Sequence, residues 1–467
     1  MEFDTSTNLI SAPGKLFFIG IGGIGMSGLA QLLVSQGYSV AGSDRGLGEP
    51  GKAELYEKLR RQGIHLYEQD GSGVLAESPD ELIVSTAVET GNPDLVAKPD
   101  IPVLHRARAL SQALTNTGAQ LIGVAGSCGK TSVTGWIAFA LKALGEPVLV
   151  VNGGYFAGKL PDDLPGNFLA DASPRWVVAE IDESDHSINE FSPDYGVLLN
   201  VGNDHYEEAE LRRVFAAFMS RCKKGIVCLK ELQRLADDCK TPVQTFSPVK
   251  AEDTLYPDNY AMDKHGITFD IKGVGHFASG QSGRHSALNA TAVIALLKML
   301  SLHTDQAQLA AAIAAFPGIH QRFEVMGTMK DGTPLVNDYA HNPEKIHAAI
   351  STAQERFGGP VVAIFQPHGF RPLEFMRTPL AETLKSLLRP GDVFSMLPVY
   401  YAGGSASFKP TSEEVVAQLV EYGIAAKAIQ RPEALSLIHS IPPKGCVLVM
   451  GARDSSLRSW TSSFMEQ

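Results

Sequence analysis

The chain has 467 residues and a formal net charge of −11, with 44% hydrophobic and 19% charged residues. At roughly 150 residues per domain this predicts about three domains. The acidic balance argues against a broad nucleic-acid surface, which needs clustered Lys and Arg. No apolar run reaches the ~18 residues of a membrane span, and Glu2 and Asp4 stand where a signal peptide would carry basic residues, so a cytoplasmic protein is expected. The five cysteines form no C-x-x-C pair, which argues against a structural zinc site or a disulfide framework.

The first segment opens with an apolar strand, Leu16 to Ile19. The turn Gly20-Ile21-Gly22-Gly23-Ile24-Gly25 follows, then a helix from about Met26 to Ser35 and a strand Tyr38 to Ala41. This is a β-α-β unit with G-x-G-x-x-G between strand and helix, and Asp44 stands 19 residues past Gly25. That spacing suits a diphosphate on the helix N-terminus and an acidic group on a ribose hydroxyl. A tight structural turn is the bland alternative. Further strands are predicted at Leu82 to Val84 and Val103-Leu104, and Thr115 to Gly118 reads as a linker.

The second segment starts with the strand Leu121 to Ala125, runs through Gly126-Ser127-Cys128-Gly129-Lys130-Thr131 and enters a helix from Thr131 to Leu144. Strand, glycine loop, Lys-Thr and helix make a phosphate loop. Backbone N–H groups attract phosphate oxygens, Lys130 reaches the terminal phosphates and the Thr131 hydroxyl ligates Mg²⁺. The strict G-x-x-x-x-G-K-T spacing is not met, because Val124 occupies the first glycine position. Strands are predicted at Val148 to Val151, Trp176 to Ile181 and Gly196 to Val201, with a helix from about Glu207 to Ser220. Glu180-Ile181-Asp182-Glu183-Ser184-Asp185 puts four carboxylates at a strand end, where a divalent ion would offset their repulsion. Asn203-Asp204-His205 ends the next strand, and His205 is a second candidate metal ligand. Pro242 to Phe277 is strand-like and turn-rich, a helix is predicted from Ala287 to Leu300, and Pro317-Gly318 marks a boundary.

In the third segment, strands are predicted at Leu335 to Asn337, Val361 to Phe365, Val393 to Met396 and Val447 to Val449. Helices are predicted at Pro343 to Phe357, Pro379 to Leu388 and Ser412 to Tyr422. Alternating strands and helices throughout predict α/β architecture with parallel sheets. Arg322 stands just past the boundary, while Asp338-Tyr339-Ala340-His341 and Gln366-Pro367-His368 follow strands, where ligands bind in open α/β sheets.

Taken together, these motifs resemble the Mur ligase family over essentially the whole chain, and Phe18 through Ala30, Gly42-Ser43-Asp44, Glu180 through Asp185 and Phe365-Gln366-Pro367-His368 resemble its alanine-adding branch. The resemblance implies a Rossmann-like UDP-binding domain (1–117), a P-loop-type central ATPase domain (118–319) and a Rossmann-like C-terminal domain (320–467). It implies an ATP- and Mg²⁺-dependent ligase joining L-alanine, or a related amino acid, to the carboxylate of UDP-N-acetylmuramate through an acyl phosphate. ATP would be held by Gly126 to Thr131, His285, Asn289, Arg322 and Asp338, and Mg²⁺ by Thr131, Glu180 and His205. Lys130, Glu180, His205, Arg322 and His341 would be catalytic. Gly22, Gly23, Ile24, Asp44, Ser85, His105 and Arg106 would face the UDP-linked substrate, and Tyr339, His368 and Arg371 the incoming amino acid or short peptide. A monomer or weak homodimer, with no nucleic-acid or membrane partner, is expected.

This sequence departs from the family at Ser127-Cys128, at Ser286, at Asn203 and at Gly369-Phe370-Arg371-Pro372, where the alanine-adding branch carries two arginines. A recycling ligase that adds a preformed peptide to the same sugar nucleotide is the nearest alternative. An NAD-dependent oxidoreductase explains only the first glycine motif, and a catalytically silent scaffold is the third reading.

Overall fold

The computed structural model describes residues 8–11, 13–183, 187–202, 208–302, 304–401, 408–440 and 445–467. The chain divides into two compact units. The first holds residues up to Tyr260 with Thr268–Gly280 and Arg284–Ile319; the second holds Ala261–Ile267, Gln281–Gly283 and His320–Gln467.

The first unit carries a five-stranded sheet and an eight-stranded sheet. One has five parallel strands in the spatial order His65–Tyr67, Ser39–Ser43, Lys15–Ile19, Glu81–Val84, Val103–His105. Chain order reverses between Lys15–Ile19 and Glu81–Val84, which makes the crevice at their carboxyl ends the ligand position of a doubly wound sheet. The other sheet has eight strands, ordered Thr254–Leu255, Val243–Phe246, Gly225–Leu229, Tyr195–Leu198, Gln120–Ala125, Trp176–Glu180, Val148–Val151, Phe168–Ala170. Only Phe168–Ala170 runs antiparallel to its neighbour. One hydrophobic cluster runs through both sheets, from Leu16 and Leu29 to Val177 and Phe215. The central strands read as unbroken apolar runs because both faces are buried.

A polar joint ties the two sheets. The buried amide of Asn167 donates to the Ile24 carbonyl at 2.7 Å and to Ser27 Oγ at 2.9 Å, and accepts from Gln31 Nε2 at 2.9 Å. All three partners lie on the helix Ile24–Ser35, which starts directly after the first glycine turn.

The second unit has a six-stranded sheet ordered Glu324–Thr328, Pro334–Asp338, Cys446–Gly451, Val361–Gln366, Val393–Met396, Ala426–Ala428, with only the first strand antiparallel. Two local expectations are corrected. The helix expected from Pro379 spans Phe370–Leu387 with Pro379 inside it. Leu373, Met376, Leu380 and Leu384, spaced at helical intervals, are buried against the sheet, and that burial outweighs the hydrogen bond lost at proline. The Thr115 to Gly118 linker begins inside the helix Arg106–Asn116. A helix Gln306–Ala314 was not expected, although Asp305 and Gln308 form a capping box legible as Asp-x-x-Gln.

Candidate functional site

The glycine loop Gly126-Ser127-Cys128-Gly129 joins the strand Gln120–Ala125 to the helix Lys130–Ala143. Gly129 caps that helix at φ 88°, with no side-chain cap bond, so the first helical N–H groups are left for an anion. Lys130 Nζ donates to the Gly126 carbonyl at 2.7 Å and to both Glu183 oxygens at 3.1 and 2.8 Å. The loop is also gripped by Asn200, just past the neighbouring strand. Its Oδ1 accepts from Cys128 N at 2.8 Å, its Nδ2 donates to the Cys128 carbonyl at 2.9 Å, and its backbone carbonyl accepts from Ser127 N at 3.3 Å. Ser127 Oγ accepts from Gly202 N at 2.8 Å. A two-residue loop between glycines has little internal bonding, and Asn200 supplies the fixation from outside. Asn289 lies against the same loop, since a Cβ on Gly129 would sit 3.2 Å from its Oδ1. His285, on the same helix as Asn289, is exposed.

Glu180 ends the strand Trp176–Glu180 and its Oε2 accepts from Gly153 N at 3.0 Å. Gly153 and Gly154 follow the strand Val148–Val151. A Cβ on Gly153 would collide with the Glu180 carboxylate, and one on Gly154 would sit 2.8 Å from Thr131 Cγ2. The pair of glycines therefore lets Thr131 and Glu180 line one spot at the carboxyl edge of the sheet. Asn152 Oδ1 is buried beside them with no hydrogen-bond partner among the described residues. The acidic cluster is partly neutralised by the protein itself. Glu183, 3% exposed, pairs with Lys130, and Asp182 lies 3.6 Å from Arg106. His205, with Asn203, Asp204, Ser184 and Asp185, lies outside the described residues.

At the switch point of the five-stranded sheet, Gly22, Gly23, Ile24, Asp44, Ser85, His105 and Arg106 gather at strand ends. Asp44, 8% exposed, is already engaged. It accepts from Gly22 N, Gly46 N and Tyr56 Oη, all at 2.8 Å, and Lys52 stands 3.8 Å away. Its carboxylate is thus a clamp on the glycine turn. Gly22 is required there, because a Cβ would sit 2.5 Å from Tyr56 Oη. His105 caps the helix Arg106–Asn116, its Nδ1 accepting from Ala107 N at 3.3 Å. Arg106 reaches from the glycine turn, where its Nη1 would meet a Cβ on Gly25 at 3.0 Å, to Asp182 of the acidic cluster.

In the second unit, Asp338 ends a strand and accepts from Phe323 N at 2.6 Å and Ala340 N at 2.7 Å. Desolvation lifts its carboxyl above the ordinary value, against the pull of those N–H groups and of Arg322. The Arg322 guanidinium lies 5.3 Å over the Tyr339 ring. Tyr339, His341 and His368 form a chain of edge-to-face rings with centroids 5.4 Å apart. His341 Nδ1 lies 2.9 Å from the Tyr339 carbonyl. A carbonyl only accepts, so the neutral ring carries its proton on Nδ1 and its lone pair on Nε2. Burial, then His341 and Arg453, push His368 down to about 4. Arg371 is exposed in the first turn of Phe370–Leu387, 5.7 Å over the Phe375 ring.

Three family models match consecutive parts of the chain: the Mur ligase family catalytic domain over residues 15–117, the Mur ligase middle domain over 124–297 and the Mur ligase glutamate ligase domain over 321–453. A UDP-N-acetylmuramate–L-alanine ligase of Sinorhizobium medicae is 30% identical across 97% of both chains. The chain belongs to the Mur ligase family. The corresponding ligase of Gloeobacter violaceus is 32% identical over 86% of this chain and 85% of its own. Among solved structures, the UDP-N-acetylmuramate–alanine ligase MurC of Thermotoga maritima matches with a TM-score of 0.79 at 28% identity, covering 97% of this chain and 98% of its own. A murein peptide ligase of Psychrobacter arcticus shares the fold, with a TM-score of 0.67 at 19% identity over the same shares.

Within this Mur ligase, the residues fit a hard divalent cation. Thr131 and Glu180 offer a hydroxyl and a carboxylate oxygen on either side of two glycines, the donor class Mg²⁺ prefers. Sequence reasoning missed Asn200 and Asn152. Nothing marks Asn200 in the sequence, since its partners lie 72 residues away. Asn152 stands between an apolar strand and a Gly-Gly pair, which was the legible signal.

Proposed function

We propose that this Mur ligase joins L-alanine to the carboxylate of UDP-N-acetylmuramate at the expense of ATP. The observation that carries the reading is the meeting of the phosphate loop, Thr131 and Glu180 around Gly153-Gly154. It occurs in a chain alike along 97% of its length to a ligase named for that reaction.

In the proposed reaction the sugar carboxylate attacks the γ-phosphorus, ADP leaves and an acyl phosphate forms. The amine then attacks the acyl carbon, inorganic phosphate departs and an amide remains. Lys130, fixed at Gly126 and Glu183, sets a positive charge at the transferring phosphoryl group. The family resemblance implies a phosphate contact for Arg322 and a ribose contact for Asp338. Thr131 and Glu180, with His205, would hold Mg²⁺, which when bound supplies positive charge against the crowded phosphate oxygens. Asp44 holds the glycine turn in shape for the UDP diphosphate, and Arg106 adds a cation beside it. His341, with its lone pair on Nε2, takes the proton released by the attacking amine.

The test is phosphate release with UDP-N-acetylmuramate and ATP, with L-alanine and a preformed tripeptide offered in parallel. Alanine-dependent release with a sugar nucleotide heavier by one alanine residue supports the reading. Release with the tripeptide alone would move it to the peptide-adding alternative, whose sequence basis is the segment Gly369 to Pro372.

A further inference from the structure

We propose that Glu324 and Arg458 are positioning residues for Arg322, holding the strained strap that displays its guanidinium. The proposal rests on the role assigned to Arg322 above. Arg322 is flanked by Gln321 at φ 59° and Phe323 at φ 45°, both left-handed and neither a glycine. Side chains with a Cβ avoid this region, and such pairs persist only where the surroundings over-determine them.

The surroundings here are specific. Gln321 N donates to Glu324 Oε2 at 3.1 Å, the Gln321 carbonyl accepts from Tyr339 N at 2.8 Å, and Phe323 N donates to Asp338 Oδ2 at 2.6 Å. The backbone on both sides of Arg322 is therefore pinned, and two of the three pins are carboxylates. Glu324 is itself locked. Arg458 Nε and Nη2 donate to its two oxygens at 2.9 and 2.6 Å, and His320 Nδ1 lies 2.8 Å from Oε1. Its side chain is 8% exposed. Burial pushes this carboxyl up, but Arg458 and His320 outweigh it and bring it to about 2, so the fork stays ionised at any working pH.

Arg458 lies on the short helix Leu457–Ser462, past residue 453 where the match to the family's third domain ends. The anchor of the strap therefore comes from a part of the chain that the family match does not cover. The side chain that would act on phosphate is Arg322; Glu324 and Arg458 act on it through the backbone.

The experiment compares Glu324→Gln, Arg458→Ala and the double variant with the parent protein. It reads kcat and KM by phosphate release, and backbone amide exchange by mass spectrometry. The expected result is a loss of kcat of about tenfold or more in each single variant, as misplacement of a catalytic group produces. KM for UDP-N-acetylmuramate should stay within about twofold, because its residues lie in the other unit. Exchange should quicken in the peptide covering 320–324 and stay unchanged across the strand Val361–Gln366. The double variant should lose no more than the worse single. Arg458→Ala retaining kcat within about twofold, or exchange at 320–324 identical to the parent, overturns the proposal. A loss of kcat matched by general unfolding, with exchange quickened everywhere, overturns it as well. Should the parent release no phosphate, the ligase reading fails and the exchange arm alone decides the strap.

Discussion

Lys130→Ala separates the two jobs the structure gives to one ammonium group. Lys130 donates to the Gly126 carbonyl and forms a salt bridge with Glu183, whose side chain is 4% exposed. Removing the lysine leaves a buried carboxylate facing a carbonyl, and truncating one partner of a buried pair costs about 3–5 kcal/mol. The expected destabilisation is therefore about 3 kcal/mol, at the low end of that range, read as a shifted urea midpoint at pH 7. Adding Glu183→Gln removes the orphaned charge and should restore most of that stability, while amide formation stays abolished because the cation is still absent. Binding of UDP-N-acetylmuramate, measured calorimetrically, should survive in both variants. A single variant less than about 1 kcal/mol below the parent would refute the buried-pair argument, and a double variant with near-normal turnover would refute the assignment of Lys130.

Asn200→Ala removes two hydrogen bonds to the Cys128 peptide. At about 1 kcal/mol each, KM for ATP should rise roughly tenfold or more with little change for the sugar nucleotide. Asp44→Ala frees Gly22 N, Gly46 N and Tyr56, and should weaken UDP-sugar binding more than ATP binding; equal losses would argue against a separate UDP site. His368 is held down to about 4 by burial, then by His341 and Arg453. An unfolded histidine titrates near 6.5, so only the unfolded chain gains this proton between about 6.5 and 4, and stability falls as pH drops through that window. His368→Gln should flatten the acid limb of melting temperature against pH. Glu81 is fully buried, and burial lifts it to about 7 despite the Ile10 N–H. Its contribution is retained below about 4.5 and lost as pH rises through 7, so Glu81→Gln should raise the melting temperature at pH 8 and hardly change it at pH 4.

Much of this was legible because periodicity and glycine placement are local signals. Gly20 to Gly25 and Gly126 to Thr131 each stand between an apolar strand and a helix, and the folded chain keeps both in those places. Two parts were not legible. Asn167 and Asn200 act through partners far along the chain, and spacing carries no trace of such pairs. The residues around Asp44 and Glu183 reveal only in three dimensions that their charges are taken up by Lys52, Tyr56 and Lys130. Pro379 misled because a helix breaker was read as a helix start, whereas the apolar stripe beginning at Leu373 continues through it.

The most direct test of the central claim is ATP-dependent phosphate release over UDP-N-acetylmuramate and a panel of amino acids, with the product weighed by mass spectrometry. The account predicts release that needs both the sugar nucleotide and L-alanine, and a product heavier by one alanine residue. Phosphate release independent of UDP-N-acetylmuramate, or none with any amino acid or peptide, would contradict it.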